Sequence, residues 1–236
     1  MTRIGRLVAP GMPHHVICRG NNRRRIFSSS SDFELFLWLL ARASQRFDCQ
    51  VHALALMTNH VHAILTPPDA AALAGCVKGF SQRYAQERNR DREASGKLFE
   101  ERYLRFPVLA DRQLGVTTSY IELNPVRAGV VAAPEEYRWS THRLHAGMLD
   151  ASCVPAAMWT PSPWYLGLGG SPTARAERYR DWVAAHQGLE GEPERVTRIQ
   201  AAEALSAPRY ARRLRRPDGT CACEPVARYG RKVDPR

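Results

Sequence analysis

Apolar residues recur along the first 130 positions with two different periods, and the switches between them mark the elements. Residues 13–19 (PHHVICR) have β-branched residues at their centre and read as a strand. After a polar loop from Gly20 to Arg25, Phe33, Phe36, Leu37, Leu40 and Ala43 recur at helical spacing. They predict a helix to about Phe47, opened by a capping box at Ser31-x-x-Glu34. Residues 50–56 (QVHALAL) and 60–66 (HVHAILT) read as two strands of a hairpin joined through Met57–Thr58–Asn59, with Pro67–Pro68 ending the second. Leu73, Val77, Phe80 and Tyr84 form one stripe of a helix from about Ala70 to Asn89. A strand follows at 101–109 (ERYLRFPVL), then a helix to Asn124 with Asp111 as its candidate cap.

The order is strand, helix, strand, strand, helix, strand, helix. That is the split βαβ, ferredoxin-like arrangement of the α+β class, an antiparallel sheet with helices on one face. It is expected to occupy roughly residues 8–130, within a domain over residues 1–148 that is followed by an extension over 149–236. In the extension Pro, Gly and Ser accumulate through PSPWYLGLGGSP, and a short helix is expected near 174–187. Residues 207–236 hold nine Arg or Lys against three Asp or Glu, which predicts a basic, flexible tail.

Composition narrows the function class. Hydrophobic residues make up 44% of the 236, enough for a packed core. The net charge of +11 favours polyanionic partners: nucleic acid or an acidic membrane surface. No run approaches the roughly 18 apolar residues of a membrane helix, and the N-terminus has no apolar h-region. A cytoplasmic protein is expected. The six cysteines form no CxxC pair, so they read as reduced thiols, with Cys221-Ala-Cys223 the one close pair.

Candidate chemistry starts at His60–Val61–His62. Strand residues two apart share a face, so the two imidazoles stand side by side and can begin a divalent-metal site. Alternatively they are two polar residues on a strand face. In SYIELNP, Tyr120 and Asn124 are four apart and share a helix face. A tyrosine oxygen can attack a phosphodiester and hold it covalently, and its ordinary pKa near 10 then calls for assistance. Asn124 can supply an amide oxygen as a third ligand or cap the next turn, with Pro125 at its first position. Tyr120 can equally be an ordinary packing residue.

Five segments in order carry a resemblance: PHHVICRGNNRRRIF (13–27), MTNHVHAIL (57–65), GKLFEERY (96–103), YIELNPVRAGVV (120–131) and YRWSTH (137–142). Over about residues 10–145 the chain resembles the single-tyrosine HUH transposases, in particular the REP-associated branch. The resemblance implies a ferredoxin-like fold, His60, His62 and Asn124 as ligands to Mg²⁺ or Mn²⁺, and Tyr120 as nucleophile. It implies cutting and rejoining of single-stranded DNA near hairpins through a 5′-phosphotyrosine, by a monomer or homodimer. The chain departs where relatives read LWEGRY, with Phe99 and Glu101 in place of Trp and Gly.

Such a protein needs cations and base readers. Arg19, Arg23, Arg24 and Arg25 cluster beside the first strand, with Asn21 and Asn22 able to read base edges. Arg23–Arg25 repel one another unless an anion neutralises them. Lys78, Arg83, Arg102, Arg105 and Arg127 are further candidates, each also readable as a solvated charge. Two other classes compete: a binder of structured repeat DNA that does not cut, and a zinc hydrolase adding His14, His15 or His52 to the histidine pair. The chain has no HExxH motif to favour the second.

Overall fold

The structure is a computed structural model that describes residues 8–100, 102–108, 110–149 and 152–186. Four strands, β1 (His14–Arg19), β2 (Gln50–Met57), β3 (His60–Thr66) and β4 (Leu104–Pro107), form one antiparallel sheet in the order β2-β3-β1-β4. The helices are α1 (Ser30–Arg46), α2 (Ala70–Asp91), α3 (Asp111–Arg127), α4 (His142–His145), α5 (Pro163–Gly167) and α6 (Pro172–His186). The order of strands and helices through α3 is the one expected.

Strand alternation divides the core in two. Val16, Cys18, Leu54, Leu56, Val61 and Ala63 point to the face covered by α1 and α2, where Phe36, Leu40, Val77, Phe80 and Tyr84 meet them. Each fully buried Val, Leu or Phe among them contributes about 1.5–3 kcal/mol. The opposite face, with Ala53, Ala55 and Ile64, packs against Leu114, Ile121 and Leu123 of α3 and against Trp164, Tyr165 and Tyr179 of α5 and α6. The expectation of helices on one face is therefore corrected: α1 and α2 take one face, and α3 lies on the other. Ala53, Ala55 and Ile64 are buried under that second cover, so these strands are apolar on both faces.

Local chemistry departs from expectation at three ends. The α1 capping box is Ser29 with Asp32, not Ser31 with Glu34: the Ser29 hydroxyl accepts from Asp32 N at 3.3 Å, and Asp32 accepts from Ser29 N at 3.2 Å. Both pairs have the required spacing, and the chain begins its helix at the earlier one. Of the strand expected at 101–109, the described residues form β4 over Leu104–Pro107, with Val108 N donating to Pro13 O at 2.8 Å just beyond it. Helix α3 runs through Pro125 to Arg127, so Asn124 does not cap a new turn. Gly129, at φ +66°, ends it, with Val130 N donating to Pro125 O at 2.9 Å.

Two segments lock α3 in place. Residues 139–141 run along the outer edge of β2, with Leu56 N donating to Trp139 O at 3.0 Å and Thr141 N to Leu54 O at 3.0 Å. This covers a bare strand edge. Glu122 of α3 is fully buried and accepts from the Thr141 and Tyr179 hydroxyls, with His145 Nδ1 at 2.8 Å. Burial alone would raise its carboxyl. His145, with His142 and Thr141, outweighs that and holds it below the usual carboxylate range. The expected helix near 174–187 is α6. The basic tail and the Cys221–Cys223 pair lie outside the described residues.

Candidate active site

The site is built where β3 meets α3. His60 and His62 lie on the α3 face of the sheet because Val61 between them takes the α1/α2 face. Their ring centroids are 4.8 Å apart at 84°. His60 Nδ1 is 2.6 Å from Asn59 Oδ1, and His62 Nδ1 shares a hydrogen bond of 2.9 Å with His15 Nε2. Both rings are thus held by Nδ1, leaving Nε2 as the ligating nitrogen. That is how metal-binding histidines are usually oriented.

Asn124 brings its side-chain amide to 3.5 Å from His62 Nε2. One helical turn earlier, the Tyr120 ring stands 5.7 Å from the His62 ring and 6.2 Å from the His15 ring. Arg127, near the end of α3, folds its guanidinium back to 5.2 Å from the Tyr120 ring centroid. That sets a positive charge beside the candidate nucleophile. Burial lowers the Arg127 guanidinium from its ordinary range, and Tyr120 opposes the shift.

Burial keeps the imidazoles neutral. His60 is lowered to about 4, by desolvation first and by Arg19 second. His62 is lowered well below its ordinary value by desolvation, then by His15, His60 and Arg19. A neutral imidazole with an exposed Nε2 lone pair is the form that binds a divalent cation. The donor set of two imidazoles and an amide therefore fits the expected metal. Among the described residues, no group of three or more His, Cys, Asp or Glu is arranged to hold a metal ion.

Residues 9–124 match the family model described as IS200-like transposase. That stretch holds His60, His62, Tyr120 and Asn124. The chain's function is accordingly of the transposase type, the processing of DNA. The structure of a REP-associated tyrosine transposase bound to a REP hairpin shares the fold, at 16% identity over 69% of this chain and 93% of that one, with a TM-score of 0.50. A candidate transposase of Deinococcus radiodurans R1 aligns more loosely, at 17% identity over 49% of this chain and 92% of that one, with a TM-score of 0.36. No curated protein matches the sequence.

The remaining transposase candidates fall into two groups. Arg19 pairs in register with His60 at the end of β1. The loop after it is tied over the hairpin turn, with Gly20 N donating to Asn59 O at 2.8 Å and Ile26 N to Thr58 O at 2.8 Å. Asn21, Asn22 and the exposed Arg23, Arg24 and Arg25 therefore flank His60, and Asn22 and Arg23 adopt φ of 54° and 57°. Lys78 and Arg83 lie instead on α2, across the sheet from Tyr120, and Arg105 faces that side too, opposite Val16. Arg102 lines a recess of about 330 Å³ with Lys78 and Tyr103.

His15 is the residue that sequence reading undervalued. It entered only as a spare zinc ligand, yet it is the direct partner of His62. Its two-residue spacing from Ile17 was the available signal, since that parity places it on the same face as the pair once β1 and β3 are registered. His14 points to the other face, accepting from Ala9 N and donating to Met12 O. His52 bonds to Thr160 O and Thr66 Oγ1.

Proposed function

We propose that this chain is a metal-dependent single-stranded DNA endonuclease and strand transferase of the REP-associated transposase branch, acting beside DNA hairpins. The observation that supports it best is the placement of the Tyr120 ring 5.7 Å from His62 within a single chain. His60, His62 and Asn124 would hold Mg²⁺ or Mn²⁺, which supplies Lewis-acid polarisation of the scissile phosphate.

The protein groups do the rest. Arg19 and the Arg23–Arg25 loop bind the backbone, and Asn21 and Asn22 read neighbouring bases. Arg127 sets a positive charge beside Tyr120. The phenolate attacks phosphorus, an Oη–P bond forms, the P–O3′ bond breaks, and the 3′ oxygen takes up a proton. The 5′-phosphotyrosine keeps the phosphoester energy, so a 3′-hydroxyl can attack it and restore Tyr120 without a nucleotide cofactor. Residues 1–148 would form this catalytic domain. Residues 149–236 form its extension, the part over 152–186 bracing α3. The DNA it acts on puts the protein in the cytoplasm.

The test is covalent trapping. Single-stranded hairpin DNA with Mn²⁺ is expected to give an adduct that survives denaturation, and Tyr120→Phe to abolish it. Tight, specific DNA binding with no adduct from any hairpin would instead support a non-cleaving binder.

A further inference from the structure

A groove of about 710 Å³ opens between α1 and α2, on the side of the sheet opposite Tyr120. It exists because α2 is bare where α1 crosses it. A Cβ on Gly75 would lie 2.3 Å from the Phe47 ring, and one on Gly79 would touch Phe47 and Ala43. Phe47 thus seats against the α2 backbone and forms part of the groove wall.

The lining is basic and aromatic. Arg42, Arg46, Lys78 and Arg83 contribute four cations, and no carboxylate lines the groove. Arg83 pairs with Glu87 at 3.1 Å. Among the described residues, Arg42, Arg46 and Lys78 have no acidic partner. Trp38 is 53% exposed, the most exposed aromatic side chain of the described fold, with the Arg42 guanidinium 4.7 Å from its ring centroid. Cations gathered along one groove without a carboxylate repel one another, and the exposed indole leaves apolar surface in water; an anionic polymer with flat bases relieves both.

We propose that this groove is a second nucleic-acid site. It takes a single-stranded segment of the DNA, its phosphates on Arg42, Arg46 and Lys78 and an unpaired base stacked on Trp38. The inference rests on the reading of the chain as DNA-processing and extends it: DNA is gripped on both sides of the sheet, for chemistry at Tyr120 and for anchorage at α1/α2. A concave, charge-lined surface with one exposed indole suits a strand better than a flat lipid headgroup layer, which is met by convex apolar surface.

The test uses full-length protein with Tyr120→Phe, so that binding is read without cleavage. Fluorescence anisotropy follows labelled hairpin DNA with single-stranded flanks across a salt series. Arg42→Ala with Arg46→Ala is expected to lower the slope of log affinity against log salt by about 1.5. Trp38→Ala is expected to weaken binding about tenfold, with Trp38→Phe recovering most of it. All three positions are exposed, so thermal unfolding should not move. On the Tyr120-containing background, adduct yield from a saturating short strand should be unchanged by these substitutions. Unchanged slope and affinity would overturn the groove, as would binding of phosphatidylserine vesicles lost with Trp38→Ala while DNA binding stays intact. Failure of the Tyr120 adduct would sink the catalytic reading alone, because the binding measurements do not depend on it.

Discussion

His62 uses both ring nitrogens, and its neighbours set which one can face a metal. Ligation through Nε2 requires the proton on Nδ1, donated to His15 Nε2. His15 must then carry its own proton on Nδ1, which is buried without a partner. The pair therefore trades an unsatisfied donor for an oriented ligand, a cost accepted at a functional site. His15→Phe removes the acceptor and is expected to weaken Mn²⁺ binding about 10- to 100-fold by calorimetry on the Tyr120→Phe protein. His15→Gln, which can still accept, should recover most of the loss, and equal affinity in all three would discount the role of His15. Burial also sets a pH limit. His14 is lowered to about 4 and His15 to about 3, desolvation leading in both. The unfolded chain takes up protons near 6.5 that the folded chain refuses, so stability is full above 6.5 and falls as pH drops from there toward about 4. Thermal melts between pH 7 and pH 4 should show the decline, and a flat melting temperature would contradict the buried, neutral rings.

The element that matters most is α3. Its sequence announced a helix and its Tyr120–Asn124 spacing announced a shared face. Nothing in that spacing told which face of the sheet it would cover. Ala53, Ala55 and Ile64 carried that information, because a strand apolar on both faces needs two covers. An alternating motif centred on histidines masked it. The capping error has a similar origin: two boxes of equal local merit stood two residues apart, and only packing of Phe33 and Phe36 against Phe27 selects the first. Glu122 carries no signal of its own in the sequence, yet it is the buried hub joining that helix to Thr141, His145 and Tyr179. Glu122→Ala leaves those partners unpaired and is expected to cost about 3 kcal/mol or more in denaturant unfolding. A loss under about 1 kcal/mol, typical of an exposed pair, would show that the hub does not hold α3.

At the scale of the molecule, the sheet separates two surfaces: histidines, Tyr120 and the arginine loop on one, the α1/α2 groove on the other. The chain order of strands and helices was legible because seven elements came in sequence with strong periodicity. The extension was not, since its contribution to the core comes from isolated aromatics, Trp164, Tyr165 and Tyr179, with no period to read. One consequence concerns assembly. Tyr120 and His62 meet within one chain, so a Tyr120→Phe protein mixed with a His60→Ala, His62→Ala protein should form no DNA adduct. Recovery in the mixture would mean that α3 exchanges between subunits.

The central claim is that Tyr120 makes the covalent link, and mass spectrometry of the trapped adduct reads it directly. After nuclease trimming and proteolysis, the account predicts a single modified peptide with a 5′-linked nucleotide on Tyr120. A nucleotide on another residue, Tyr103 for example, or an adduct that persists in Tyr120→Phe, would contradict it.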